Sequence, residues 1–132
     1  MANPNIVDVS SIAFQNGGWS LNSVSTGTAI LLTVSTDYAI KINSLYVCNT
    51  QATDEIFTIT FASIGVLTGV VHNNDATATP SLLTGVSIPA NTTIQVIDNP
   101  IYLVEADTMS AFGGASDNDL HIFASWEVFN DA

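Results

Sequence analysis

Lys41 is the only fully cationic side chain in this 132-residue chain; there is no arginine, and twelve Asp and Glu leave a formal net charge of −11. A solitary amine suggests nucleophilic chemistry through a Schiff base. Activated lysines need desolvation or neighbouring positive charge, and strongly negative surroundings resist the required fall in pKa. In "AIKINSLYVCNT" (39–50) the flanking Ile40 and Ile42 put Lys41 opposite the apolar face. The sequence therefore assigns it a structural role, as a salt-bridge partner across a bulged strand or at an interface. His72 and His121 are the only histidines, and neither has partners at the spacing of a zinc site. Asp117 and Asp119 form an Asp-x-Asp in "GGASDNDLH". A calcium loop of that kind also demands Gly at its sixth position and Glu at its twelfth, both missing here. The stretch reads as a turn carrying solvated acids.

Glu105/Asp107 and Asp54/Glu55 bring paired carboxylates to mind, but glycosidase dyads work across a concave cleft at a set separation. Nothing in a chain this short predicts one, so these acids are assigned to turns and solubility. Cys48 is the single cysteine; within an apolar strand it reads as a small buried hydrophobe. No phosphate loop, nucleophile elbow or Cys/His arrangement occurs, and "QNGGWS" reads as a turn. No catalytic, cofactor or metal site is expected, and no enzymatic activity. Trp19, Tyr46, Tyr102 and Trp126 could stack on sugar rings, although Trp126 has the periodicity of a core residue. Exposed Trp19 or Tyr side chains, with the 72–81 loop, form the carbohydrate- or receptor-binding alternative.

The elements that would hold these residues are strands. Charged residues are only 10% of the chain while hydrophobic ones are 47%, and Thr, Ser and Asn replace the charges. That mixture suits pleated strands and turns better than helices, whose outer faces are normally solubilised by Lys, Glu, Arg and Gln. Alternation is clear in "EIFTITFAS", with Phe57, Ile59 and Phe61 on one face. The pieces Val86/Ile88 and Ile94/Val96 are broken by a turn at Pro89-Ala90-Asn91. "PIYLVEADTMSAFGG" reads as strand, turn at Glu105–Asp107, strand. In "AIKINSLYVCN" the apolar phase switches between Ile42 and Leu45, the mark of a β-bulge near Asn43–Ser44. The final strand, "DLHIFASWEVF", puts Leu120, Ile122, Ala124, Trp126 and Val128 on one side and Phe123 and Phe129 on the other, so it is expected to be central or at an interface. Eight to ten short strands predict a single all-β domain over residues 1–132. The expected architecture is an antiparallel β-sandwich, jelly-roll-like, with residues 1–12 as an N-terminal arm or edge strand.

The charge balance disfavours nucleic acid and anionic membrane as partners. No run approaches the roughly 18 apolar residues of a membrane span, and the opening "MANPNIVDVSS" shows no secretory pattern. A polar but uncharged exterior resembles the centre of an interface, where charged residues are depleted. The expected partner is the chain itself, in a symmetric homo-oligomer with a trimer favoured. Lys41, Trp19, Phe123 and Phe129 are the candidate structural or interface residues.

"MANPNIVDVSSI", "KINSLYVCN", "SIPANTTIQVID", "NPIYLVEADTM" and "DLHIFASWEVF" together resemble short all-β virion structural proteins of tailed bacteriophages, found in marine and freshwater phages including cyanophages. The resemblance spans nearly the whole chain. It implies a non-enzymatic virion component, foremost a capsid decoration (cement) protein that bridges shell subunits. The alternative is a neck, tail or fibre part, or a carbohydrate- or receptor-binding module. It further implies major capsid or tail proteins as partners, synthesis in the host bacterial cytoplasm, and no cofactor. Members often carry Gly in the turn where this chain has Ala106.

Overall fold

The computed structural model describes residues 9–21, 29–62, 80–113 and 119–130. They form nine strands: β1 (Ser11–Leu21), β2 (Ala29–Thr33), β3 (Tyr38–Asn49), β4 (Glu55–Ala62), β5 (Ser81–Ile88), β6 (Thr93–Ile97), β7 (Ile101–Leu103), β8 (Thr108–Gly113) and β9 (Leu120–Asn130). All pairing is antiparallel. The chain doubles back between β4 and β5, and successive pairs β4·β5, β3·β6/β7, β2·β8 and β1·β9 make one long ribbon. Rolling that ribbon brings β9 beside β3 and β8 beside β4. Two sheets result, β1-β9-β3-β6 with β7 also on β3, and β2-β8-β4-β5. This is a jelly-roll β-sandwich.

The core lies between the sheets. Ile42, Leu45, Val47, Leu120, Ile122 and Ala124 from one sheet meet Phe57, Ile59, Ile88, Met109 and Ala111 from the other, all at most 2% exposed. Each large side chain so buried contributes about 1.5–3 kcal/mol. The register of β3 on β9 shifts between Ile42 and Ser44, which makes Asn43 the extra residue of a bulge. Without that insertion Leu45 and Val47 would point outward, because one residue of slip turns a strand over.

Tight turns complete the wrap. Asn91 and Asp37 have φ of 51° and 64°, a region short polar side chains tolerate. Ala106 adopts φ 71° in the β7–β8 turn, where its N–H donates to Val34 O at 2.9 Å. Asp107 closes the same turn, its Oδ2 accepting from Val104 N–H at 2.9 Å. Asn49, 1% exposed, pins the loop after β3: its Nδ2 donates to Thr53 O and Ile88 O at 2.8 and 2.9 Å, and its Oδ1 accepts from Gln51 N–H at 2.9 Å.

Several local expectations are corrected. "QNGGWS" is no turn but the second half of β1, an edge strand in unbroken register with β9 from Ser11↔Asn130 to Leu21↔Leu120. Cys48 is only half-buried, because the bulge sends it to the outer face opposite His121. Asp119 is not solvated; it is 1% exposed, and its carbonyl accepts from Thr50 N–H at 3.0 Å. Asp117, His72 and most of the 72–81 loop lie outside the described residues.

Candidate functional site

The strongest surface feature is the outer face of the β1-β9-β3 sheet. The pairings place Phe14 opposite Glu127, Glu127 opposite Lys41, and Lys41 opposite Tyr102. Four strands thus carry one transverse row, Phe14–Glu127–Lys41–Tyr102. Lys41 Nζ lies 3.8 Å from Glu127 Oε2, the two side chains being 25% and 21% exposed. Asn43, pushed out by the bulge, donates from Nδ2 to Glu127 Oε1 at 3.4 Å, so the bulge that corrects the core phase also holds the acid beside its cation. Phe14 and Tyr102 at the row ends are 80% and 64% exposed.

Neighbouring rows continue the pattern. On one side Ile12, Phe129 and Ala39 are aligned, and on the other Asn16, Ser125 and Ser44, the two serine hydroxyls 2.9 Å apart. Next come Gly18, Phe123, Tyr46 and Gln95. Ile12, Tyr46 and Phe123 are also exposed. Among the described residues, the other acids lie off this face: Asp37, Asp54, Asp98 and Glu105 in connections, and Glu55, Asp107 and Asp119 buried. The face is therefore aromatic and close to neutral on a chain of net charge −11.

Of the four residues singled out from sequence, Lys41, Phe123 and Phe129 come together here. Trp19 does not. It faces inward beside Ile122, partly buried and stacked on Trp126 with ring centroids 5.9 Å apart. Trp126 Nε1–H donates to Gln15 Oε1 at 3.2 Å, satisfying the indole's one polar group. Phe14 and Ile12 were missed as surface residues. Their alternation was visible, but the intervening Ala13 and Gln15 gave no sign of being the inward set.

A hollow of about 460 Å³ is lined by Thr53, Asp54, Glu55, Ile56, Thr58, Phe112 and Gly113. Both of its acids accept hydrogen bonds: Asp54 Oδ1 from Ala90 N–H at 3.1 Å, and Glu55 Oε1 from Thr53 Oγ1 at 3.3 Å. Among the described residues no group of three or more His, Cys, Asp or Glu is placed to share a metal ion, and no helix is long and apolar enough to cross a membrane.

No family model and no curated protein matches the chain by sequence. Solved structures do match its fold. A chain of the T13 IBDV viral particle superposes with a TM-score of 0.50 at 13% identity, over 92% of this chain and 32% of that one. A chain from the Bacillus endospore appendages, described as a novel family of disulfide-linked pili, gives 0.49 at 16% identity over 91% and 87%. At these identities the likeness is one of fold. This chain spans about a third of the viral chain it matches.

Proposed function

We propose that the protein is a non-enzymatic structural subunit of an assembled particle, in its most specific form a capsid decoration protein of a tailed bacteriophage. The observation that carries this reading is the outer face built around Lys41 and Glu127. Aromatic side chains exposed as fully as Phe14 and Tyr102 on one neutral sheet face mark a surface meant to be covered. The fold it shares with a chain of the T13 IBDV viral particle supports the same reading, as does the resemblance to phage virion proteins across the strand sequences. Such a protein would act by adding buried area between neighbouring shell subunits, many weak contacts repeated by symmetry giving avidity without one strong site. Its partners are then further copies of itself and the major capsid protein, and its place is the outside of the virion. A neck, tail or fibre position uses the same chemistry.

The test is addition of the purified protein to isolated phage shells that lack it. The expected result is saturable co-sedimentation at a ratio set by shell symmetry, with decorated shells surviving a higher temperature. Absence of binding to shells and to tail parts alike would overturn the reading.

A further inference from the structure

We propose that the outer face of the β1-β9-β3 sheet is a two-fold contact between two copies of this chain, with the axis running along the strands between β9 and β3. The inference deepens the assembly reading and takes its context from it. A two-fold axis joining facing surfaces must lie in the plane between them, which leaves its direction and its position within that plane open. Across the strands, through the Lys41 row, it would set Lys41 on Lys41 and Glu127 on Glu127. Along the strands, it reverses each transverse row on itself.

The central pairs of these rows are complementary under that reversal. Phe14–Glu127–Lys41–Tyr102 then faces Tyr102–Lys41–Glu127–Phe14, aromatic on aromatic and acid on cation, twice over. In the next rows Phe123 meets Tyr46, Ser125 meets Ser44, and the large Phe129 meets the small Ala39, because each pair is directly opposed across β9 and β3. Such a contact is isologous, the commonest kind in soluble oligomers, and it sets two sheets in aligned packing. It places the two-fold where the sequence alone had favoured a trimer.

Size and charge agree with a second copy as occupant. Eleven paired positions run about 35 Å along the strands and four strands span about 15–20 Å. That is on the order of 600 Å² a side, near the roughly 800 Å² each partner contributes to a standard stable interface. Two chains of charge −11 repel at long range, but this face is where the one cation neutralises its acid. The remaining repulsion decays over a Debye length of about 8–10 Å at moderate salt.

The experiment is light scattering on the full-length chain over a concentration series, with Lys41→Glu and Glu127→Lys made separately and each checked for a cooperative melt. The wild type is expected to be a dimer, each variant alone to dissociate at least about tenfold more readily, and their equimolar mixture to recover dimers containing one of each. Recovery on mixing cannot come from repair of either fold. Should one variant not fold, Phe14→Asp and Tyr102→Asp, at opposite ends of the row, must each abolish association. A monomeric wild type at all concentrations, undiminished association in the variants, or a mixture that stays monomeric would overturn the contact. Undiminished association would place the interface on the other sheet or along the free β1 edge. Failure here leaves shell binding standing as a separate result, and loss of shell binding with the dimer intact removes only the virion reading.

Discussion

Trp19 and Trp126 stack at the β1 edge of the sandwich with ring centroids 5.9 Å apart and planes 24° from parallel, and Gly17 lies against both rings. A Cβ built on Gly17 would stand 2.6 Å from Trp126 Cη2 and 2.7 Å from Trp19 Cη2. The glycine is there for close approach, and the stack fixes how the edge strand β1 sits on β9. Gly17→Ala is expected to cost about 1–3 kcal/mol, the usual range for overpacking a core. Denaturant unfolding followed by tryptophan fluorescence measures the loss. A native signal changed in the folded baseline is also expected, since the rings must separate. An unchanged midpoint would mean the rings move aside freely.

At Ala106 the backbone takes φ 71°, where an L side chain costs about 1–2 kcal/mol and glycine enters without that strain at some entropic expense. Ala106→Gly is expected to stabilise the fold by about 0.5–1 kcal/mol, raising Tm by a few degrees in calorimetry. Pairing between β7 and β3 is left untouched by this change. A lower Tm would refute the strained-turn explanation.

Asn49 spends both donors of its amide and its oxygen on three backbone groups, two in the loop after β3 and one at the end of β5. Asn49→Ala leaves the buried Ile88 O and the half-buried Gln51 N–H without this partner, a loss of about 1–3 kcal/mol, the range for one stranded buried group. Thermal melts read this directly. A loss under about 0.5 kcal/mol would show that water replaces the amide.

Because Lys41 is the only Lys or Arg, trypsin has one bond to cut, Lys41–Ile42, and it sits in β3 with β9 on one side and β7 on the other. Cleavage then requires β3 to leave the sheet, which is close to global unfolding. The native protein is expected to resist trypsin, giving fragments 1–41 and 42–132 at a rate that follows the unfolded population through a denaturant series. Rapid cutting without denaturant would contradict a central β3.

Removing the ion pair itself is expected to matter little for folding. At concentrations low enough for the chain to be monomeric, Lys41→Met should change stability by no more than about 1 kcal/mol, as for other partly exposed pairs; a dimer joined through this pair would lose more. A larger loss in chemical denaturation would make the pair a folding element instead of a surface one.

Much of this architecture could be read in advance where one face is apolar and the other is not. β4 shows it through Phe57 and Ile59, β9 through Leu120 to Val128, and β3 reveals its bulge because the phase visibly jumps between Ile42 and Leu45. β1 could not be read in that way. Its inward positions are Ala13, Gln15 and Gly17, made suitable by Trp126 across the ladder, while Ile12 and Phe14 point out. Local sequence therefore suggests a turn at "QNGGWS" (15–20) that tertiary pairing with residues 121–126 of β9 overrides. The outer face was legible only at Lys41, Phe123 and Phe129, for a related reason. Phe14, Lys41, Tyr102 and Glu127 are scattered along the chain, and only the jelly-roll wrap lines them up.

The central claim, that this chain is a structural part of a virion, is tested most directly by imaging purified phage particles with a gold-tagged copy of the protein. The account expects gold on the particle exterior at positions repeating with its symmetry, foremost on the shell. Particles bare of gold, with all of the label in the soluble fraction of the lysate, would contradict it.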